Sequence, residues 1–201
     1  MGKIITVVGN LGAGKTTLTR LLCEMGNFTQ YWEKPEERPF QTNLVQDGER
    51  WAFANQIDFF LFRCEQETLA RRSEGISLFD GGFDQDFHVF TRHLVRKGCL
   101  SAKEFDVCKR FYYFTRRFLP PHDLILRICI DIPTLLQRRV LRGRKSDEQL
   151  FTAQELTNLE TLFDDWLNNE ISPVIRFSYD REITHYRNEY DGLVKQIKYI
   201  A

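Results

Sequence analysis

The chain has no excess charge of either sign, since 28 Lys and Arg balance 28 Asp and Glu in 201 residues. No global positive field remains to attract a polyanion, so nucleic acid is not an expected partner and any basic function must be local. No apolar run approaches the roughly 18 residues that span a bilayer, and no secretory signal precedes the first apolar segment. A cytoplasmic protein without membrane contact is therefore expected. Cys23, Cys64, Cys99, Cys108 and Cys129 form no C-x-x-C pair and read as reduced core thiols. Repeats, low-complexity tracts and dividing linkers are also missing, so one domain over residues 1–201 is the expectation.

What the chain does have is a phosphate-binding loop. Gly9, Asn10, Leu11, Gly12, Ala13, Gly14, Lys15 and Thr16 match G-x-x-x-x-G-K-[ST] in full. The apolar Ile4, Ile5, Val7 and Val8 before it read as a buried strand, and Thr17 to Leu22 after it read as the start of a helix. In that setting successive backbone N–H groups and the helix N-terminus cradle phosphate, Lys15 reaches the β- and γ-phosphates, and the Thr16 hydroxyl ligates Mg²⁺. ATP as phosphate donor and Mg²⁺ as cofactor follow. A glycine-rich turn that bound nothing would not need a lysine followed by a hydroxyl.

The rest of the pattern alternates strand and helix. A second strand is expected over 28–32, ending at Glu33 and the acidic loop KPEERPF, and a long helix over about 49–72, where no Pro or Gly interrupts. A third strand covers 76–79 and closes on Asp80-Gly81-Gly82, and a helix from about 84 ends near Gly98. Ser101 with Glu104 forms a capping box for a helix that Pro120-Pro121 stops. A fourth strand at 124–130 leads through Pro133 into a helix bearing Arg138, Arg139, Arg142 and Arg144. Thr152 with Glu155 caps a helix to about 168, and a fifth strand at 173–177 precedes a C-terminal helix. Strands separated by helices imply parallel pairing with right-handed crossovers, hence a three-layer α/β domain on a five-stranded parallel sheet.

Ligands of such sheets collect at the carboxyl ends of the strands. The phosphate loop, Glu33 and Asp80 fall there, with the arginines one helix beyond the fourth strand. Phosphoryl transfer needs a carboxylate for Mg²⁺, a base at the acceptor hydroxyl and cations that follow the migrating charge. Each candidate also has a plain reading: Glu33 as a solvated loop acid, Asp80 as a turn residue, the arginines as a helix end favoured by the dipole.

The ordered segments GNLGAGKTT, WEKPEERPF, ERWAFANQ, LFDGGFDQDFHVF, RRVLRGRKSDEQ and PVIRFSYDREITHYRNEYDGL resemble the deoxyribonucleoside kinase family, particularly its purine and cytosine members, over nearly the whole chain. The resemblance implies a P-loop kinase fold with an Arg-rich lid over about 142–151. It makes Glu33 the general base on the 5′-hydroxyl. Gln56, Arg63 and Asp86 would read the base and Phe90 would stack on it. Arg138, Arg142 and Arg144 would be lid arginines, and Glu148 would contact the sugar 3′-hydroxyl, with one extra residue in the loop before it. The residues themselves leave Gln56 and Arg63, seven apart, on one helical face in either reading, and Phe90 could equally be core. Where the family carries an acidic-Arg-Ser triplet, this chain has Asp80-Gly81-Gly82, and Val45 falls near a family tyrosine. The implied activity is transfer to a deoxyribonucleoside bearing an amino group on its base. A nucleotide or another small alcohol as acceptor, and a nucleotide-binding regulatory protein with little turnover, are the alternatives. A homodimer is implied too, to which Phe111, Tyr112, Tyr113, Phe114 and Phe118 could contribute, or they could be core.

Overall fold

Strand β1 (Lys3–Gly9) is buried from its second residue onward, a pattern that only a central strand covered on both faces can sustain. In the computed structural model, which describes residues 1–34, 37–142, 152–178 and 187–200, it lies in the middle of a five-stranded sheet of order β2-β3-β1-β4-β5. The partners are β2 (Thr29–Tyr31), β3 (Ile76–Asp80), β4 (Leu124–Cys129) and β5 (Val174–Ser178), and every pairing is parallel. The short β2 and β5 are the partly exposed edges, while β3 and β4 are buried. Because strand side chains alternate, Ile5 and Val7 join the large core that includes Leu18 and Leu22, while Ile4 packs with Phe79 and Ala70 on the opposite face.

The helices are α1 (Lys15–Gly26), α2 (Gln41–Gln46), α3 (Gly48–Arg72), α4 (Phe83–Gln85), a π-helical stretch at Asp86–Thr91, α5 (Arg92–Arg96), α6 (Ala102–Thr115), α7 (Ile132–Arg142), α8 (Ala153–Leu167) and α9 (Arg187–Ile200). Both expected capping boxes form, at Ser101 and Thr152. No helix among the described residues is long and apolar enough to cross a membrane.

Two expectations need correction. Helix α6 ends at Thr115, and hydrogen-bonded turns over 116–119 carry the chain on to Pro120-Pro121. In these turns the Arg116 guanidinium pairs with Asp84 at 2.7 Å and Glu67 at 2.6 Å and also donates to the Leu119 carbonyl. The cysteines are all free, yet only Cys23 and Cys108 are buried; the other three are half-buried. The aromatic run of α6 splits in the same way, since Tyr112 is buried while Tyr113, Phe114 and Phe118 are exposed.

Arg116 belongs to a buried polar cluster that joins three elements to the sheet. Asp84 also accepts from the Tyr112 hydroxyl and contacts His122, which bonds Thr6 of β1. Burial alone would raise the Asp84 pKa, but Arg116 and His122 outweigh it and hold the group well below its ordinary value of 3.8. The stabilisation is thus present above the unfolded-state value and is lost as pH falls through the folded one. Arg116→Met should cost about 3–5 kcal/mol, because it strips the buried Glu67 carboxylate of its pairing cation and leaves Asp84 with Tyr112 and His122 alone. Urea unfolding measures this, and a loss below about 1 kcal/mol, the range of exposed pairs, would contradict the assignment.

Candidate active site

The phosphate loop leaves β1 and enters α1 with Gly12 at φ 85° and Gly14 at φ 96°, a region where a Cβ is strained and glycine is not. Lys15 Nζ folds back on the loop, donating to the Gly9 carbonyl at 3.1 Å and the Asn10 carbonyl at 3.3 Å. The Thr16 hydroxyl donates to Asp80 Oδ2 at 2.5 Å, joining the loop to the end of β3. Asp80 Oδ1 is buried with no partner among the described residues. The Asn10 side chain points away from the cradle, donating to the Leu156 carbonyl and to Glu160 of α8. Its Oδ1 accepts from the Leu11 N–H at 2.8 Å. Arg138 of α7 donates to the Ala13 carbonyl at 3.4 Å, which puts the start of the arginine cluster on the loop. The Arg142 side chain, Arg144, Glu148 and the rest of the lid lie outside the described residues.

Helix α3 buries a polar stripe. Gln56, Arg63, Gln66, Glu67 and Arg71 are all under a tenth exposed, which is affordable only because they are bonded. Arg63, with no exposed surface, donates from Nε to Asp86 Oδ2 at 3.0 Å and from Nη1 to Gln66 at 3.1 Å. Gln66 in turn donates to the Trp32 carbonyl at 2.8 Å, next to Glu33. The Thr91 hydroxyl lies 2.8 Å from both Gln56 Oε1 and the Asp86 carbonyl, and its single proton serves one of them at a time. The wider π turn sets Asp86 and Thr91, five residues apart, against the same face of α3.

These contacts enclose a cavity of about 470 Å³. Glu33, Asn55, Gln56, Asp86 and Phe90 line it, with Val45 of α2 and Leu11 of the phosphate loop closing it. Phe90 is half-buried: it packs against the margin of the main core and also lines the cavity. The Glu33 pKa is raised from 4.5 to about 7: burial pushes it up, Lys15 and Arg63 pull it down, and Asp80 and Asp86 push it up again. Asp86 is likewise raised by burial, with Arg63 offsetting part of the shift. Gly81 stands at φ 70°. A Cβ there would lie 2.9 Å from Arg63 Nη2, 3.2 Å from Gln85 Nε2 and 3.7 Å from Glu33 Oε2. Any side chain at this position would therefore displace the Arg63 guanidinium.

The structure thus brings Lys15, Thr16, Glu33, Gln56, Arg63, Asp80, Asp86, Phe90 and Arg138 to one end of the sheet. Thr91, Asn55 and Gln85 were not expected there. Each has a polar or charged neighbour in sequence, Gln56 beside Asn55, Asp84 and Asp86 beside Gln85 and Arg92 beside Thr91, so no local signal marked them.

The comparisons with known proteins agree with this geometry. A deoxynucleoside kinase family profile matches residues 5–201. A deoxyadenosine/deoxycytidine kinase of Bacillus subtilis is 25% identical over 198 residues, covering 96% of this chain and 91% of the relative. A deoxyguanosine kinase of the same organism is 27% identical over 162 residues, covering 81% and 75%. The solved deoxyadenosine kinase of M. mycoides with dCMP and a flexible dCDP superposes with a TM-score of 0.83 at 19% identity, covering 96% of this chain and 99% of that one, a likeness of fold. The chain belongs to the deoxynucleoside kinase family and is a phosphotransferase.

Proposed function

We propose that the protein transfers the γ-phosphoryl group of ATP, with Mg²⁺, to the 5′-hydroxyl of a deoxynucleoside whose base carries an exocyclic amino group. The observation that carries this reading is the single cavity that sets Glu33, Gln56, Asp86 and Phe90 beside the phosphate loop. Relatives named for deoxyadenosine, deoxycytidine and deoxyguanosine support it. Membership of a kinase family leaves no place for the regulatory alternative. The separate reading with a nucleotide as acceptor draws less support from the cavity: among the described residues that line it Lys97 is the one Lys or Arg, and it is engaged by Glu155 at 2.6 Å.

In this mechanism Glu33 takes the proton of the acceptor hydroxyl as its oxygen attacks the phosphorus. A raised pKa suits that task, since a base near neutrality both accepts and releases the proton readily. Thr16 and Asp80 would hold Mg²⁺: their oxygens suit a hard cation, and Asp80 Oδ1 has no other partner. The metal, when bound, offsets charge on the phosphate oxygens. Lys15 and Arg138, with Arg142 and Arg144 of the lid, would follow that charge. Asp86, held by Arg63, accepts an amino N–H from the base, Gln56 bonds the base edge and Phe90 stacks on it. Glu148 would meet the 3′-hydroxyl. The whole of residues 1–201 would act as one domain, cytoplasmic, and as a homodimer to which the exposed Tyr113, Phe114 and Phe118 contribute.

Glu33→Gln should fold normally and slow the chemical step by roughly 10²–10⁴. In the ligand-free, metal-free protein the Glu33 carboxyl should titrate at about 7, as followed by carbon chemical shifts against the Glu33→Gln variant. A wild-type rate in that variant, or titration at 4.5, would remove Glu33 from the role.

Base choice should follow Asp86 and Arg63. Deoxyadenosine, deoxyguanosine or deoxycytidine should exceed thymidine in kcat/KM by roughly 10²-fold or more, because thymine presents a carbonyl to a buried carboxylate. Thymidine as the best of the four would overturn this pocket assignment.

A further inference from the structure

Asn10 of the phosphate loop is buried, and both hydrogens of its amide point to α8. They go to the Leu156 carbonyl at 2.9 Å and to Glu160 Oε1 at 2.8 Å, while Oδ1 accepts from the Leu11 N–H. A reversed amide would set its oxygen against two acceptors, so the orientation is fixed. Leu156 and Glu160 stand four apart on one face of α8, which is why a single side chain meets both. The second oxygen of Glu160 is held in turn. Arg127 of β4 donates from Nη2 to Glu160 Oε2 at 2.5 Å and from Nη1 to the Ile128 carbonyl at 2.8 Å, with its Cζ 3.9 Å from the centre of the Phe163 ring. A chain of charge-assisted bonds thus runs from the sheet through α8 to the loop.

The loop end of this chain bears on the reaction at two places. The Asn10 carbonyl accepts from the Ala13 N–H at 3.1 Å and from Lys15 Nζ at 3.3 Å, so the turn of the loop and the resting place of its lysine depend on how Asn10 is set. Leu11, whose N–H is bound by Asn10 Oδ1, lines the cavity together with Glu33, Asp86 and Phe90. Phosphate loop and acceptor cavity therefore meet at two adjacent residues that α8 fixes. We propose that Glu160 is a positioning residue for phosphoryl transfer: its carboxylate, held by Arg127 on one oxygen, holds Asn10 with the other and so aligns the phosphate loop with the cavity wall at Leu11. The proposal rests on the kinase reading above. Glu160 acts through Asn10, and its contribution is the relative placement of the two substrates, where a displacement of about 1 Å can cost roughly 10²-fold in rate.

Replacing both members of the Arg127–Glu160 pair separates alignment from stability. Arg127→Met with Glu160→Met exchanges an ion pair for apolar side chains, a change that is often close to neutral for folding, yet it removes the carboxylate that holds Asn10. Asn10→Ala removes the other end of the contact. Urea unfolding reads stability, and single-turnover transfer from γ-labelled ATP to the best deoxynucleoside, with both saturating, reads alignment. The paired variant and Asn10→Ala should each stay folded and slow the saturated transfer by roughly 10- to 10²-fold. All three changes combined should be no slower than Asn10→Ala, because contacts that act in series do not add. Transfer at the wild-type rate in the folded paired variant would overturn the proposal. Losses that multiply in the combined variant would overturn it too, since Glu160 would then act by a route other than Asn10. If the paired variant does not fold, Asn10→Asp decides alone: it keeps the acceptor for the Leu11 N–H, loses both donors to α8 and should be slow, and a wild-type rate in it would overturn the proposal. A wild-type protein that phosphorylates no deoxynucleoside would defeat the kinase reading and this proposal together, an outcome distinct from an active wild type matched by the paired variant.

Discussion

The fully buried ion pair between Arg63 and Asp86 is the constraint on which the site depends. A guanidinium with no exposed surface cannot turn to water for compensation, so α3 and the segment after β3 must stay where the 3.0 Å contact holds them. The neighbouring contacts follow from that one. Gln66, held by the same guanidinium, fixes the backbone at Trp32 and with it the position of Glu33. Seven residues earlier on the helix, Gln56 meets Thr91 and closes the other end of the cavity. The carboxylate that anchors the helix is thus also the one that faces the cavity.

The seven residues from Asp80 to Asp86 show how one residue type takes three roles by environment. Asp80 receives the Thr16 hydroxyl at the phosphate loop. Asp84 turns to the opposite side, where Arg116 and His122 keep it charged and the contacts are saturated. Asp86 has burial against it and shares Arg63 with Glu33, so its pKa rises instead. The same sharing explains Glu33: its two cations are offset by two further acids, and burial decides the direction. Charges that are fully paired build the frame, and those that are incompletely paired are left for chemistry.

Local pattern carried most of the fold. The phosphate loop, both capping boxes and the succession of strands and helices along the chain were legible because each depends on residues adjacent in sequence. The shared face of Gln56 and Arg63 was legible too, as a consequence of helical spacing. What was hidden depended on distant partners. Nothing near Arg116 marks its burial, which depends on Glu67 and Asp84 far along the chain. The π stretch has no breaker of its own, and the approach of Thr91 to Gln56 and the Asp86 carbonyl joins residues that are distant in sequence or five apart. At Gly81, where the resemblance implies an arginine, the Arg63 guanidinium of α3 stands 2.9 Å from the place a Cβ would take, a contact that only the fold reveals. Asn10, inside the loop motif, proved to be a strut to α8 through its side chain.

The most direct test is a crystal structure with deoxyadenosine and Mg·ADP bound together. The account predicts the 5′-hydroxyl within about 3 Å of the Glu33 carboxylate, the reach of a general base. It also predicts the adenine between Gln56 and Asp86 with its amino group on that carboxylate, and its face against Phe90. A nucleoside bound with its base toward the phosphate loop, or with its 5′-hydroxyl out of reach of Glu33, would contradict it.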